Sequence, residues 1–373
     1  MSYAHSAGSG TPLSDSPSHS HMYQSLPPAE EVGELGVHRL KRLWHKTRLN
    51  KCGRLEPRLR QEEWRTDVAL MNLLGLGLDQ CLGFLYGGQP SFSEFEHWVL
   101  QQNPGGISKS RVNDINRVLG GYLAGSCAQP LDAREILEGP LCGDAPKFLS
   151  ESQVAFWREN GYLVVEGVLD KAQCQASVDV IYRFLQKSPD RPETWYRAHQ
   201  GQQNIMVQLF RDPVLDANRS SEKIRQAFAD IWGTESLQCS IDRAGFNPPE
   251  APHYQFFGTR LHWDVDFSRA PELRTQGLIY LTDVAENQGA FHCAPGFHRQ
   301  MTDWMAQLPP GADPNQQDLT HLKLKYVAAP AGSLIIWHHY LPHGASPNRA
   351  ATPRVVQYLN MTPLPCAEAT LPK

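Results

Sequence analysis

The sequence predicts a mainly β fold with flanking helices, a closed double-sheet barrel preceded by a small helical module. Three observations predict it. From His262 to Leu359 apolar residues recur in short alternating runs broken by Gly, Pro and Asn, which is strand spacing. Upstream, helical periodicity over 152–160, 170–186 and 220–232 is interleaved with short apolar stretches at 162–165, 203–210 and 237–244 that read as strands. From 67 to 123 only helical periodicity appears, and the Pro- and Gly-bearing stretch 126–145 separates it from the rest. With 373 residues there is chain enough for two domains or one large one, and apolar content enough for a core.

Residues 1–31 are rich in Ser, Pro, Gly and His and poor in large apolar side chains, so they are expected to stay disordered; His5, His19 and His21 read as part of a solvated tail. The expected division is a helical module over 32–125, a connector over 126–147 holding a short helix near 132–137, and the barrel over 148–373. In the module, 67–87 reads as one helix with an apolar face through Leu70, Leu73, Leu74, Leu78, Leu82 and Leu85, although Gly75 and Gly77 fall in its middle. Ser91 or Ser93 caps the next helix, which runs to Gln101 and is stopped by Asn103-Pro-Gly-Gly. A third, 108–123, carries Val112, Ile115 and Leu119 on one side. In the barrel half, Asp170 is placed to cap the helix that follows it.

The net charge of −4 gives no electrostatic case for nucleic acid. No apolar run is long enough for a membrane span, residues 1–31 lack the apolar core that a secretory signal needs, and Thr370-Leu-Pro-Lys does not match a peroxisomal address. The 8 cysteines form no Cys-x-x-Cys pair, which excludes a zinc ribbon or a dithiol redox site and fits reduced thiols in a cytoplasmic protein. Between Leu35 and Arg65 basic residues cluster, among them Arg39, Lys41, Arg42, Lys46 and Arg48, with Leu40, Leu43 and Trp44 at helical spacing. Such a segment either packs its apolar stripe on a neighbouring domain or docks an anionic partner, an acidic carrier protein or a CoA ester; a homodimer through the module is the other use.

Chemistry concentrates in two stretches, Gly258-Thr-Arg-Leu-His262-Trp-Asp264-Val-Asp266-Phe and Trp337-His-His-Tyr-Leu-Pro-His343-Gly through Arg354. On an extended strand His262 and Asp264 share a face and can reach one metal ion, and His343 can complete the set. Two imidazoles and one carboxylate on one face of an octahedron leave open positions, as non-haem Fe(II) oxygenases require. Taken singly, His262 and Asp264 also read as a hydrogen-bonded surface pair, and the same donor set serves hydrolytic zinc. Arg354, eleven residues after His343, offers a guanidinium fork suited to a carboxylate. A catalytically silent barrel used for interaction, or a metal-dependent hydrolase or isomerase, are the alternatives. Asp266 and His298 are weaker candidates for substrate contact, and His338 and His339 compete with His343.

From about Phe148 to Pro365 the chain resembles the phytanoyl-CoA dioxygenase family of Fe(II)- and 2-oxoglutarate-dependent oxygenases. The resemblance rests on Phe156-Trp-Arg-Glu-Asn-Gly-Tyr-Leu-Val-Val-Glu-Gly-Val-Leu, on Gly277-Leu-Ile-Tyr-Leu-Thr-Asp with Ala294-Pro-Gly-Phe-His298, and on Gly332-Ser-Leu-Ile-Ile-Trp with His343-Gly and Asn348. It implies a double-stranded β-helix (jelly roll, cupin-like) in which His262, Asp264 and His343 hold Fe(II), Arg354 anchors 2-oxoglutarate, and O2 oxidises a small-molecule substrate: an acyl-CoA, a carrier-bound group or a natural-product intermediate. Two departures stand out. The hydroxyl that relatives carry two residues after the distal His is Ala345 here, with Ser346 one further on as a candidate for the same carboxylate, and Phe297 stands where a small polar residue is usual. Asp264 is intact, which implies hydroxylation or another oxidation rather than halogenation.

Overall fold

The structure is a computed structural model; it describes residues 23–123, 148–265, 267 and 273–364. The expected connector, Asp266, and Cys127, Cys142 and Cys366 lie outside the described residues.

Six helices form the front of the chain: α1 (Leu40–Lys51), α2 (Pro57–Glu62), α3 (Trp64–Leu73), α4 (Leu78–Gly88), α5 (Phe92–Gln101) and α6 (Lys109–Leu123). Their shared core includes Leu40, Leu70, Leu74, Cys81, Phe95, Val99, Ile115 and Leu119. Ser91 caps α5, accepting from Glu94 N while the Glu94 carboxylate accepts from Ser91 N, the reciprocal arrangement that satisfies two free helix-end donors. The single helix expected over 67–87 is two. Gly75 adopts φ +68°, and α3 and α4 meet at 104°. Helix propensity loses here to a left-handed backbone that L side chains rarely adopt, with the Arg211 guanidinium lying over Gly75.

The basic run is partly turned inward. Arg39, Arg42 and Lys46 all bond the Glu63 carboxylate, and Lys46 also pairs with Asp67. Arg39 and Lys46 are buried, so these cations are structural and unavailable to an outside partner; Arg48 lies over the Trp44 ring. Residues 23–31, expected to be disordered, dock on this network through Arg42 to the Pro27 carbonyl and Arg39 N to the Ala29 carbonyl.

The remaining chain contains β1 (Tyr162–Val165), β2 (Gln202–Gln203), β3 (Met206–Val207), β4 (Leu237–Cys239), β5 (Ala244–Asn247), β6 (Thr275–Tyr280), β7 (Phe291–Cys293), β8 (Lys325–Tyr326), β9 (Ser333–His338), β10 (His343–Ala345), β11 (Arg354–Tyr358) and β12 (Met361–Pro363). Helices α7 (Glu151–Asn160), α8 (Lys171–Phe184), α9 (Pro213–Arg219), α10 (Glu222–Trp232) and α11 (Met301–Ala306) flank them. Ser150 and Asp170 cap α7 and α8, the latter as expected. Antiparallel pairing gives a seven-stranded sheet in the order β1-β9-β6-β11-β5-β3-β2, a three-stranded sheet β10-β7-β8, and the pair β12-β4.

Both faces of the large sheet are covered, which is why β9 is buried along its whole length. Leu163, Phe246, Ile279, Leu334, Ile336 and Val355 point into a core shared with α7, α8 and α10. The alternate residues Tyr162, Leu278, Tyr280, Ile335, Trp337 and Val356 point the other way, into a second core with Phe291, Cys293 and Val327 of the small sheet side. Tyr280 ties the sheets: its hydroxyl donates to the Val327 carbonyl (3.0 Å) and accepts from Phe291 N (2.9 Å). Across the chain helix outweighs strand, 38% against 17%, so "mainly β" is corrected to antiparallel sheets wrapped by helices. The expected strand 203–210 is only the β2–β3 hairpin, 237–244 is split between β4 and β5, and α9 precedes the helix expected from Ser220.

Candidate metal centre

His343 opens β10, whose register on β7 sets it opposite Cys293. The segment bearing His262 and Asp264 is not the regular strand expected. It is extended chain pinned to β10 at one bridge, where His262 and His343 exchange N–H to carbonyl bonds at 3.1 Å each way. Thr259 adds two more, from its N to the Ala345 carbonyl (2.9 Å) and from Ala345 N to its Oγ1 (2.8 Å). The close approach needs Gly258 at φ +82°, where a Cβ would sit 2.8 Å from the Ala345 oxygen.

The strand-like alternation survives because Trp263 is held inward. It is 2% exposed, packs on Phe297 and Trp304, and donates Nε1 to the Tyr340 carbonyl at 2.8 Å. With Trp263 fixed on one side, His262 and Asp264 emerge together on the other. One ligand atom from each of His262, Asp264 and His343 lies within 4.8 Å of the others; Asp264 is 3.7 Å from His262 Nε2 and 3.5 Å from His343 Nε2. His343 is buried, while the Asp264 side chain is 56% exposed, which puts the open side at the carboxylate.

Both imidazoles are set by the backbone two residues earlier. His262 Nδ1 bonds the Arg260 carbonyl (2.9 Å) and His343 Nδ1 the Leu341 carbonyl (3.0 Å). A carbonyl accepts only, so Nδ1 carries the proton and each Nε2 keeps its lone pair for a metal. Asp264 in turn accepts from Gln276 Nε2 at 2.8 Å, and Gln276 Oε1 accepts from Trp337 Nε1 at 3.0 Å. Burial works to raise the Asp264 carboxyl; His343 and His262 lower it whenever their rings are protonated, and the Gln276 donor lowers it with the rings in either state. Sequence reasoning missed Gln276. Its role depends on β6–β9 register, which sets it opposite Trp337, 61 residues away.

Arg354 starts β11 and shares the inner face with Val356. It is 2% exposed, lies 5.9 Å from the Tyr280 ring, and its Nε has no hydrogen-bond partner. No carboxylate among the described residues pairs with it. The Ser346 hydroxyl is bonded to the Pro347 carbonyl (3.3 Å) and not to Arg354. His298, a candidate substrate contact, is corrected to an interior residue: it is 3% exposed, packs on Gly161 and the His338 ring, and Nε2 bonds the Arg158 carbonyl. His338 lies in that cluster too, with Nδ1 accepting from Tyr340 N, and the His339 ring stacks on it at 5.0 Å. Neither takes the place of His343.

Two imidazoles and one carboxylate that can meet at one metal ion fit the donor set of non-haem iron oxygenases. Comparison with known proteins gives the same class. The family model of phytanoyl-CoA dioxygenase matches residues 157–356, and the chain belongs to that family of Fe(II)/2-oxoglutarate-dependent dioxygenases. A Dictyostelium discoideum protein that carries a phytanoyl-CoA dioxygenase name is 22% identical over 259 residues, 56% of this chain and 74% of that protein. Among solved structures, AviO1 from Streptomyces viridochromogenes Tue57 is similar with a TM-score of 0.43 and 19% identity over 58% of this chain and 96% of its own. The alpha ketoglutarate dependent carbocyclase SnoK from nogalamycin biosynthesis is similar at TM-score 0.43 and 17% identity, over 59% and 87%.

Proposed function

We propose that this chain, on a double-stranded β-helix, binds Fe(II) through His262 Nε2, Asp264 and His343 Nε2 and 2-oxoglutarate through Arg354, and oxidises a C–H bond of a small molecule. The donor set suits the metal: two imidazoles whose Nδ1 atoms are held by carbonyls, leaving Nε2 as the donor, and one carboxylate oriented by Gln276. When bound, iron and the keto acid supply the O2-dependent oxidising power, with 2-oxoglutarate leaving as succinate and CO2. The protein's own part is placement. Arg260 and Leu341 carbonyls fix the two rings, Gln276 orients Asp264, and Trp337 and Phe291 wall the buried side of His343.

The observation that carries the reading is Arg354. An interior guanidinium with no anion beside it among the described residues is costly, several kcal/mol on the order of a broken buried pair, unless a ligand brings the charge. A zinc hydrolase needs no such anion, and a silent barrel has no reason to hold one. The test is an anaerobic titration of metal-free protein with Fe(II) and then 2-oxoglutarate, following the visible charge-transfer band of the chelate, with Arg354→Ala alongside. A band in the wild type that needs far more 2-oxoglutarate in the variant supports the assignment. Full activity of zinc-loaded, iron-free protein with no succinate formed would sink it.

The substrate is proposed only by class, a small molecule reaching the site past Asp264. The inward ion pairs of Arg39, Arg42 and Lys46 weaken the case for a carrier protein or CoA ester on the front helices. A cytoplasmic location remains a proposal from cysteine usage alone.

A further inference from the structure

We infer that Asn315 is a positioning residue for the metal centre: its side chain stands in for the neighbouring strand that the segment bearing His262 and Asp264 lacks. The inference rests on the metal-centre reading above. In an antiparallel ladder, a residue that exchanges both bonds with one neighbour is followed by one whose N–H and C=O point to the other side. His262 uses its N–H and C=O on His343 of β10. Those of Trp263 therefore face away from β10, and among the described residues no strand pairs with them.

The Asn315 amide meets them instead. Its Oδ1 accepts from Trp263 N at 2.9 Å and its Nδ2 donates to the Trp263 carbonyl at 3.3 Å. A side-chain amide carries the same donor and acceptor as a peptide group, so this double match completes a ladder step from 52 residues along the chain. The amide arrives already aimed. Asn315 sits in the 3-10 turn Pro314–Gln316, where Asp313 Oδ1 accepts from Asn315 N (2.9 Å) and the Gln317 side chain donates to the Asp313 carbonyl (2.9 Å). Pro314 is buried, and Leu319 packs in one cluster with Trp263, Phe297 and Tyr340.

The consequence falls mainly on Asp264. His262 has its own bridge to β10, and the indole of Trp263 is tied to the Tyr340 carbonyl. The Trp263 backbone, from which Asp264 continues, is gripped by Asn315. If that grip is lost, Gln276 still holds the carboxylate at its tip, but the chain that carries it can shift relative to His343.

The experiment titrates Co(II) into the metal-free whole chain by competition with a chelating dye, records the visible d–d spectrum, and follows backbone amide exchange. Asn315→Ala is expected to weaken Co(II) about tenfold and to alter the d–d band. Exchange should quicken at Trp263 N–H, while His262 N–H, bonded to His343, stays protected. Asn315→Gln keeps the amide but sets it back by a methylene; it should lose about as much, and it carries the comparison where the Ala variant does not fold. Gln316→Ala, an exposed neighbour in the same turn, should change neither affinity nor spectrum. Co(II) affinity within about twofold of wild type in the folded Asn315 variants, whatever happens to their Tm, overturns the inference and marks Asn315 as structural only. An equal loss in Gln316→Ala also overturns it, since the turn and not the amide would then be responsible. Wild-type protein that binds no Co(II) would overturn the metal-centre reading itself, a separate result.

Discussion

Replacing Gln276 with Leu tests whether the metal centre depends on a residue that touches no metal. Gln276 donates to Asp264 at 2.8 Å and accepts from Trp337 Nε1 at 3.0 Å, so Gln276→Leu cuts both links while keeping side-chain volume. The bond to Asp264 is charge-assisted and worth roughly 1.5–3 kcal/mol when buried. Asp264 is 56% exposed, however, and water will replace part of that bond, which puts the expected loss near the lower figure. That corresponds to about tenfold weaker metal binding, the low end of what losing an orienting partner costs. The Trp337 N–H, left without its acceptor beside a ring 3% exposed, adds about 1–2 kcal/mol of lost stability. The assay is competition of a metal-sensitive chelating dye for Co(II) or Mn(II), with thermal unfolding of the metal-free protein in parallel. Metal affinity unchanged within about twofold, in folded protein, would refute the idea that Gln276 holds the carboxylate in place.

Four further outcomes follow from contacts elsewhere in the chain. Glu63→Ala leaves Arg39 and Lys46 buried with a shared partner gone; because Lys46 keeps Asp67, the loss should be about 3 kcal/mol, read by denaturant unfolding, and a change under about 1 kcal/mol would count against a buried network. Burial acts to raise the Glu63 carboxyl, but Arg42, Lys46 and Arg39 outweigh it and lower it from 4.5 to about 2. The stability it contributes is therefore full above 4.5 and lost as pH falls from 4.5 toward 2, a loss that Glu63→Gln should not show. Burial lowers Lys187 from 10.5 to about 8, with its ammonium on the Trp195 carbonyl and Gln202 at 2.7 Å. Between pH 8 and 10.5 the unfolded chain holds a proton the folded one has shed, so wild type should gain stability with rising pH relative to Lys187→Met; parallel curves would contradict this. Gly332→Ala, at φ +83° with a Cβ 2.2 Å from the Leu169 oxygen, should cost about 3 kcal/mol or more in thermal unfolding.

What was legible in the sequence was local. Ser91 and Asp170 announced helix starts because a cap needs only its own next three residues. His262, Asp264 and His343 were legible as a set through residue type and order, yet the strand assumed for the first two was not needed. A pinned Trp263 and one bridge to β10 do the same aiming. The break between α3 and α4 was visible as two glycines, but the Arg211 guanidinium that donates to the Gly75 carbonyl comes from 136 residues along the chain. Gln276 was not legible at all. It owes its place to a strand partner far along the chain, Trp337, and nothing nearby distinguishes it from a solvent-facing amide. The basic run misled in part because charge counts do not show that Glu63 and Asp67 fold back among the cations.

Leu364 is 8% exposed and packs in the core of the front helices, while its N–H donates to the Ser236 carbonyl at 2.9 Å. The front helices are thus sealed by a residue synthesised more than two hundred positions after them. Until β12 has paired with β4, that patch of Leu and Val stays open to water and to other chains. Such a closure is costly in chain entropy and slow, so the nascent protein passes through a stage in which its helices exist without their last wall. Refolding yield should accordingly fall when the pairing of β12 with β4 is weakened, even with the metal-ligand face untouched.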